Sequence, residues 1–379
     1  MPRILISTGE VSGDLQGALL VRALRHLRPD VEILAIGGER MAQAGAKLLA
    51  NTTHLGSIGL LEHLPFVFPT LRLLQKMRRV LAPQPPDVVV LIDYVGFNLP
   101  LARTCKRWGC PLIYYIAPQE WVWRTANTQG IVALIDQVLA VFPQEAEYYQ
   151  KVGVPRVDWV GHPLVDDLAT AESRQEARQK LGIAPTQKVV ALLPASRRQE
   201  LKYLWPVLAQ TAQQLQQHHP DVEFWLPLAL PQYQAQLQKT IDQSHLRVRV
   251  VNEPARRVIA AADLALAKSG TVNLETALLD VPQVVIYRVS PATAWLARHL
   301  LRFQIPFMSP VNLVVMREII PELLQEQAEP HRLTQLALTY LANPAPMRQR
   351  YQEFRQALGA PGATARAAQA ILAHCAKVG

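Results

Sequence analysis

Short apolar runs, separated by helical stretches and arranged in two successive series, constrain the fold of this chain more than any other feature. Arg3-Ile4-Leu5-Ile6-Ser7, Val31 to Ile36, Val88-Val89-Val90-Leu91-Ile92, Leu112 to Ile116 and Val138 to Val141 make the first series. Val189 to Leu193, Glu223 to Leu226, Val248 to Val251, Leu264 to Ala267 and Val284 to Tyr287 make the second. The runs are apolar throughout rather than at alternate positions, which fits parallel strands covered on both faces. The helical stretches between them imply βαβ crossovers. Between the series, Val157 to Val160, the turn Gly161-His162-Pro163 and a polar helix around Ala171 to Lys180 read as a linker region. From about Pro330 onward only helix is expected. The expected fold is α/β, two doubly wound Rossmann-like domains with a cleft between them, and ligands of such sheets bind outside the carboxyl ends of the strands.

The chain has 379 residues and carries a net charge of +9. That charge fits an anionic partner: nucleic acid, a nucleotide or an acidic membrane surface. The basic residues are scattered and no RNP-like aromatic motif accompanies them, so nucleic acid is not the expected partner. The three cysteines, Cys105, Cys110 and Cys375, suit neither a zinc site nor a disulfide framework, and read as reduced thiols of a cytosolic protein. No charged-then-apolar leader precedes the first strand, and no run approaches the about 18 apolar residues of a membrane span. The chain is expected to be neither exported through such a signal nor membrane-spanning.

Several motifs sit where strands end. Asp263-Leu264-Ala265-Leu266-Ala267 runs directly into Lys268-Ser269-Gly270-Thr271-Val272-Asn273-Leu274-Glu275. This is a strand delivering a small-residue turn to a helix start, where N–H groups and the positive helix end suit a phosphate. Glu275, one turn in, would accept hydrogen bonds from ribose hydroxyls; equally, the stretch reads as an ordinary capped helix. Leu192-Leu193-Pro194-Ala195-Ser196-Arg197-Arg198 also follows a strand, and its arginines would neutralise a diphosphate or form a basic solvated turn. Both anion sites in one half of the chain point to a nucleoside diphosphate. The first loop, Ser7 to Gly17, spaces its glycines as Gly-x3-Gly-x3-Gly, not as the dinucleotide Gly-x-Gly-x2-Gly, and no Walker lysine follows. The loop reads either as a tight strand–helix turn or as a functional loop in which Glu10 and Asp14, which would repel phosphate, orient sugar hydroxyls. Asp93 ends the run Val88 to Ile92, where it serves either as a helix N-cap or as a base toward an attacking hydroxyl. No acidic pair or His/Cys set has metal spacing, and neither a metal nor a cofactor is expected. Leu71, Leu74, Met77 and Leu81 share a helical face, with Arg72, Lys76 and Arg79 on another. That pattern fits an interfacial helix on anionic lipid or an ordinary surface helix. Trp295 to Phe303, with Arg298 and Arg302, is a second such stretch.

Taken together the motifs resemble the lipid-A-disaccharide synthase family, inverting glycosyltransferases of the two-Rossmann GT-B type. The segments are Gly9-Glu10-Val11-Ser12-Gly13-Asp14, Gly38-Glu39-Arg40-Met41, Ile58-Gly59-Leu60-Leu61-Glu62, Ile92-Asp93 with Phe97-Asn98, Trp121-Val122-Trp123-Arg124, Gly161-His162-Pro163, Leu193-Pro194-Ala195-Ser196-Arg197, Ser269-Gly270-Thr271 with Glu275, and Pro321-Glu322-Leu323-Leu324-Gln325. Their order and combination carry the likeness over nearly the whole chain. The resemblance implies UDP-2,3-diacylglucosamine as donor and 2,3-diacylglucosamine 1-phosphate (lipid X) as acceptor. The products would be a β-1,6-linked lipid A disaccharide phosphate and UDP, formed without a metal ion at the cytoplasmic face of the inner membrane. It implies an acceptor-binding domain over 1–163 and a UDP-sugar-binding domain over 164–345. C-terminal helices over 346–379 are expected to pack back on the first domain. Asp93 matches the family's general base. Ser196, Arg197, Ser269, Gly270, Thr271, Glu275 and Asn312 fall on the donor side, and Glu10, Ser12, Gly13 and Asp14 on the acceptor side.

The chain departs from the family's pattern in three places. Ala195 stands where a glycine is common, Ala117-Pro118-Gln119-Glu120 replaces serine-rich positions, and Gly96 replaces a second aspartate, leaving Asp93 as the carboxylate of its motif. Two other functions fit parts of the sequence. A non-hydrolysing UDP-sugar 2-epimerase would share the two-domain architecture and need no acceptor. A non-catalytic nucleotide-sugar-binding protein would bind UDP without turnover.

Overall fold

The computed structural model describes residues 1–52, 67–123, 127–195, 198–228, 231–243, 246–291, 293, 295 and 306–375. The chain divides into two compact units, Met1–Asp167 with Ala357–Gly379, and Leu168–Gln356. The segment 346–379 is thereby split: residues 346–356 count with the second unit and 357–379 with the first.

The first unit holds a seven-stranded sheet of β1 (Arg3–Ser7), β2 (Glu32–Gly37), β3 (Lys47–Asn51), β4 (Val88–Leu91), β5 (Leu112–Tyr115), β6 (Gln137–Ala140) and β7 (Val157–Trp159). Their order is β3-β2-β1-β4-β5-β6-β7, and every pairing is parallel. The order reverses between β1 and β4, so a crevice opens at their carboxyl ends. Helix Val11–Leu27 follows β1 and helix Val95–Arg107 follows β4. The C-terminal helix Ala363–Cys375 packs on Val11–Leu27, and its Ala367, Ala368 and Ile371 are buried.

The second unit repeats the plan with six strands: β8 (Val189–Leu193), β9 (Glu223–Pro227), β10 (Val248–Val251), β11 (Leu264–Lys268), β12 (Gln283–Tyr287) and β13 (Glu322–Leu324). The order is β10-β9-β8-β11-β12-β13, again all parallel, with the reversal between β8 and β11. Two apolar cores explain why its central strands are apolar at every position. Val190, Leu192, Leu264, Leu266, Val284 and Ile286 join one core, while Val189, Ala191, Leu193, Ala265 and Ala267 join the other. Successive side chains point to opposite faces, and each face is buried under helices.

Helix Val67–Leu81 follows the ordinary surface-helix alternative over most of its apolar stripe. Leu74, Met77 and Leu81 are buried in the core of the first unit. Phe68 (75% exposed), Leu71 (50%) and Val80 (43%) are the apolar residues that reach solvent. The shared helical stripe is therefore mainly a core face. Most of the second amphipathic stretch, and the segment Ile58 to Glu62, lie outside the described residues.

Candidate functional site

In the first unit the loops after β1 and β4 meet at the switch point. Thr8 and Gly9 leave β1, Glu10 takes the N-cap position, and helix Val11–Leu27 begins. The Tyr94 ring lies over Gly9 so closely that a Cβ there would collide with it. Gly13 meets the Thr8 hydroxyl in the same way. Both glycines thus let a neighbouring side chain approach the backbone closely. Glu10 at the N-cap and Ser12 in the first turn of the helix are half-buried. Burial raises the Tyr94 phenol above its ordinary pKa, a hydrogen bond with Thr70 opposes this, and the Glu10 carboxylate adds to the rise.

Asp14 does something else. It is 4% exposed, and its carboxylate accepts N–H bonds from Gly38 (2.9 Å), Arg40 (3.1 Å) and Met41 (3.2 Å). It caps the short helix Glu39–Gln43 from a distance.

Asp93 follows β4 in a left-handed conformation (φ 44°), as does Tyr94 after it (φ 47°). Ile116, just past β5, is left-handed too (φ 56°), and its carbonyl accepts the Asp93 N–H at 3.0 Å. A β-branched residue at positive φ is a genuine outlier. Each such residue costs about 1–3 kcal/mol and persists only where its surroundings over-determine it. The surroundings here are specific. The Asp93 carbonyl accepts from Asn98 Nδ2 at 2.7 Å and from the Tyr114 hydroxyl at 2.7 Å. Asn98, wholly buried, also donates to the Ile92 carbonyl at 3.1 Å and accepts the Ser7 hydroxyl at 2.7 Å. Sequence reading placed Asn98 in a motif but gave it no task, and Tyr114 lies in an apolar run that reads as plain core.

Two buried titratable groups lie nearby. Glu145 accepts the N–H groups of Ala117 (2.9 Å), Val141 (2.7 Å) and Phe142 (3.3 Å), tying the ends of β5 and β6 together. Burial outweighs those donors and pushes its pKa up to about 7. His162 stacks on Phe142 with ring centroids 5.3 Å apart, and its Nδ1 accepts the Leu164 N–H at 3.2 Å. Burial pushes its pKa down to about 3, so it is a neutral packing residue.

In the second unit the loops after β8 and β11 flank the other switch point. Ser196 and Arg197 lie outside the described residues. After β11, the Ser269 hydroxyl donates to the Met308 carbonyl at 2.7 Å, and the Gly270 N–H donates to Asn273 Oδ1 at 2.8 Å. Those two donors are engaged by the fold rather than presented outward. The start of helix Thr271–Leu278 has N–H groups without intrahelical partners by geometry. Lys268 pairs with Glu200 at 3.0 Å, and its Nζ stands 3.1 Å from where a Gly270 Cβ would be. Glu275 is half-buried, with Arg256 Nε 3.4 Å from its carboxylate. Arg256 was invisible in sequence because helix Ala255–Ala261 precedes the motif by a whole strand.

Asn312 is bonded on both sides of its amide. It is wholly buried; Nδ2 donates to the Ile320 carbonyl (2.8 Å) and to Glu322 (2.6 Å), and Oδ1 accepts the N–H groups of Ile319 (2.7 Å) and Ile320 (3.0 Å). Its amide thus shapes the loop before β13. Glu322 completes the knot by accepting from Met308 (2.7 Å) and Ser309 (3.0 Å), and burial raises its pKa.

Two parallel-sheet α/β units with loops gathered at each switch point define the GT-B class of fold. Solved structures agree. A putative UDP-N-acetylglucosamine 2-epimerase from Listeria monocytogenes superposes with TM-score 0.71 at 15% identity, over 98% of this chain and 96% of that one. The glycotransferase of kitacinnamycin does so with TM-score 0.64 at 18% identity, over 98% and 99%. Residues 4–373 match the lipid-A-disaccharide synthetase family. The lipid-A-disaccharide synthase of Gloeothece citriformis is 50% identical over 98% of this chain and 99% of its own length. The chain belongs to the lipid-A-disaccharide synthase family, and it is a glycosyltransferase.

Proposed function

We propose that this protein transfers the diacylglucosaminyl unit of UDP-2,3-diacylglucosamine to the 6-hydroxyl of lipid X, with inversion. The observation that carries the reading is the near-full-length family match, with Asp93 at the carboxyl end of β4 beside the switch point. In the proposed step Asp93 takes the proton of the 6-hydroxyl. The oxygen attacks the anomeric carbon from the face opposite UDP. The bond from that carbon to the diphosphate oxygen breaks, and UDP leaves with the electron pair. The helix start at Thr271, with Ser196 and Arg197, would stabilise the charge developing on the diphosphate. Glu275 would hold the ribose, and Glu10 and Ser12 would shape the acceptor side.

Both substrates carry acyl chains, so the reaction belongs at a lipid surface. Among the described residues no helix is long and apolar enough to cross a membrane. Phe68 and Leu71 are exposed on helix Val67–Leu81 beside exposed Arg72, Lys76 and Arg79. This supports peripheral contact with anionic lipid on the cytoplasmic face of the inner membrane. The test is to supply the two lipid substrates together and singly. UDP release and disaccharide formation should require both. Isomerisation of the UDP-sugar without acceptor would mark an epimerase, and UDP binding without turnover a binding protein.

A further inference from the structure

Among the described residues, the left-handed non-glycine positions are Asp93, Tyr94, Ile116, Asp280, Met316 and Gln325. Half of them fall at one place, the carboxyl ends of β4 and β5. They are joined by the 3.0 Å bond from the Asp93 N–H to the Ile116 carbonyl. Strain gathered in this way marks a backbone held for a purpose.

We propose that Asn98 and Tyr114 are positioning residues which clamp the Asp93 carbonyl and so aim the Asp93 carboxylate. Asp93 is where the backbone turns out of the sheet. Its carbonyl accepts two donors at 2.7 Å, one from Asn98 Nδ2 and one from the Tyr114 hydroxyl. Those donors come from different elements, helix Val95–Arg107 and β5, so the peptide plane between Asp93 and Tyr94 is held from two sides. Rotating that plane back toward ordinary φ would break both bonds and lift the Tyr94 ring from Gly9, over which it packs. Asn98 is itself fixed, because its Oδ1 accepts the Ser7 hydroxyl at the end of β1. The clamp thus spans β1, β4 and β5 across the switch point. Neither positioning residue is assigned contact with substrate; each acts through the orientation of the residue it holds. The inference rests on Asp93 acting as the base.

The experiment compares Tyr114→Phe, Asn98→Ala, the double variant and Asp93→Ala in steady-state assays with UDP-2,3-diacylglucosamine and lipid X. Thermal unfolding is measured alongside. Misaiming a reacting group costs on the order of 100-fold in rate. Asn98→Ala should therefore lower kcat by about that factor, and Tyr114→Phe by about 10-fold, with KM for both substrates unchanged. The double variant should lose less than the product of the single losses, because both donors serve one carbonyl. If Asn98→Ala does not fold, Tyr114→Phe decides alone. Wild-type kcat in Tyr114→Phe and Asn98→Ala, with Asp93→Ala inactive, overturns the clamp and leaves the base in place. Losses that follow only the unfolded fraction, or that fall on KM, also overturn it. An active Asp93→Ala removes the base and the clamp with it.

Discussion

Asn312 shows how a side chain that aligns with a binding role can have its atoms committed elsewhere. Its amide makes four bonds to the loop before β13 and to Glu322. Removing it strands two buried N–H groups, each costing about 1–3 kcal/mol. Asn312→Ala should therefore lower stability by roughly 3 kcal/mol while UDP affinity of the folded protein stays within about 2-fold. Unchanged stability with lost UDP binding, read by denaturant titration and calorimetry, would reverse the assignment. His162 and Glu145 make a second residue-scale prediction. The His162 pKa is about 3 in the folded chain against 6.5 ordinarily, so its stabilisation is present above pH 6.5 and is lost as pH falls toward 3. The Glu145 pKa is about 7 against 4.5, so its stabilisation is present below pH 4.5 and is lost as pH rises toward 7. Between those ordinary values the two slopes oppose each other. His162→Gln should make the first unit less stable as pH rises through this window, and Glu145→Gln should make it more stable. Each slope approaches about 1.4 kcal/mol per pH unit. Urea midpoints against pH check both signs, and parallel slopes in the two variants would contradict them.

Among the elements, the central strands and the edge strand β10 were legible, while the edge strands β3, β7 and β13 were not. β4, β5, β6 and β8 are buried at every position, so their apolar runs announce them. β3 begins with Lys47, ends with Asn51 and is only half-buried, and β13 is three residues long; neither breaks the surrounding pattern. Site loops were legible by position, since each follows a central strand. Their internal bonding was not, because the partners of Asp14, Asp93 and Asn312 come from other elements or from loops without periodicity. Helix Val67–Leu81 shows the same limit. Spacing identified a stripe, but a core face and a lipid face have the same period. Exposure separates them and yields a prediction. Phe68→Ser with Leu71→Ser should weaken binding to anionic vesicles while leaving the fold intact. Leu74→Ser should instead destabilise the first unit by about 3 kcal/mol through lost burial. Vesicle sedimentation and thermal unfolding distinguish the two outcomes; equal vesicle binding by the double serine variant and the unaltered chain would place the lipid contact elsewhere.

At the scale of the whole molecule, the chain applies one plan twice. Each unit is an all-parallel sheet whose order reverses beside its first strand, and each gathers its site loops at that reversal. In one unit the loops bring a carboxylate on a strained turn; in the other they bring a small-residue turn and a helix start. Family likeness extends over residues 4–373, across both units, rather than over one half. The most direct measurement is the turnover of Asp93→Ala with UDP-2,3-diacylglucosamine and lipid X, alongside its affinity for UDP. Loss of a general base predicts a fall in kcat of about 100- to 10,000-fold, with the dissociation constant for UDP close to that of the unaltered protein. Turnover near the original rate would contradict the account.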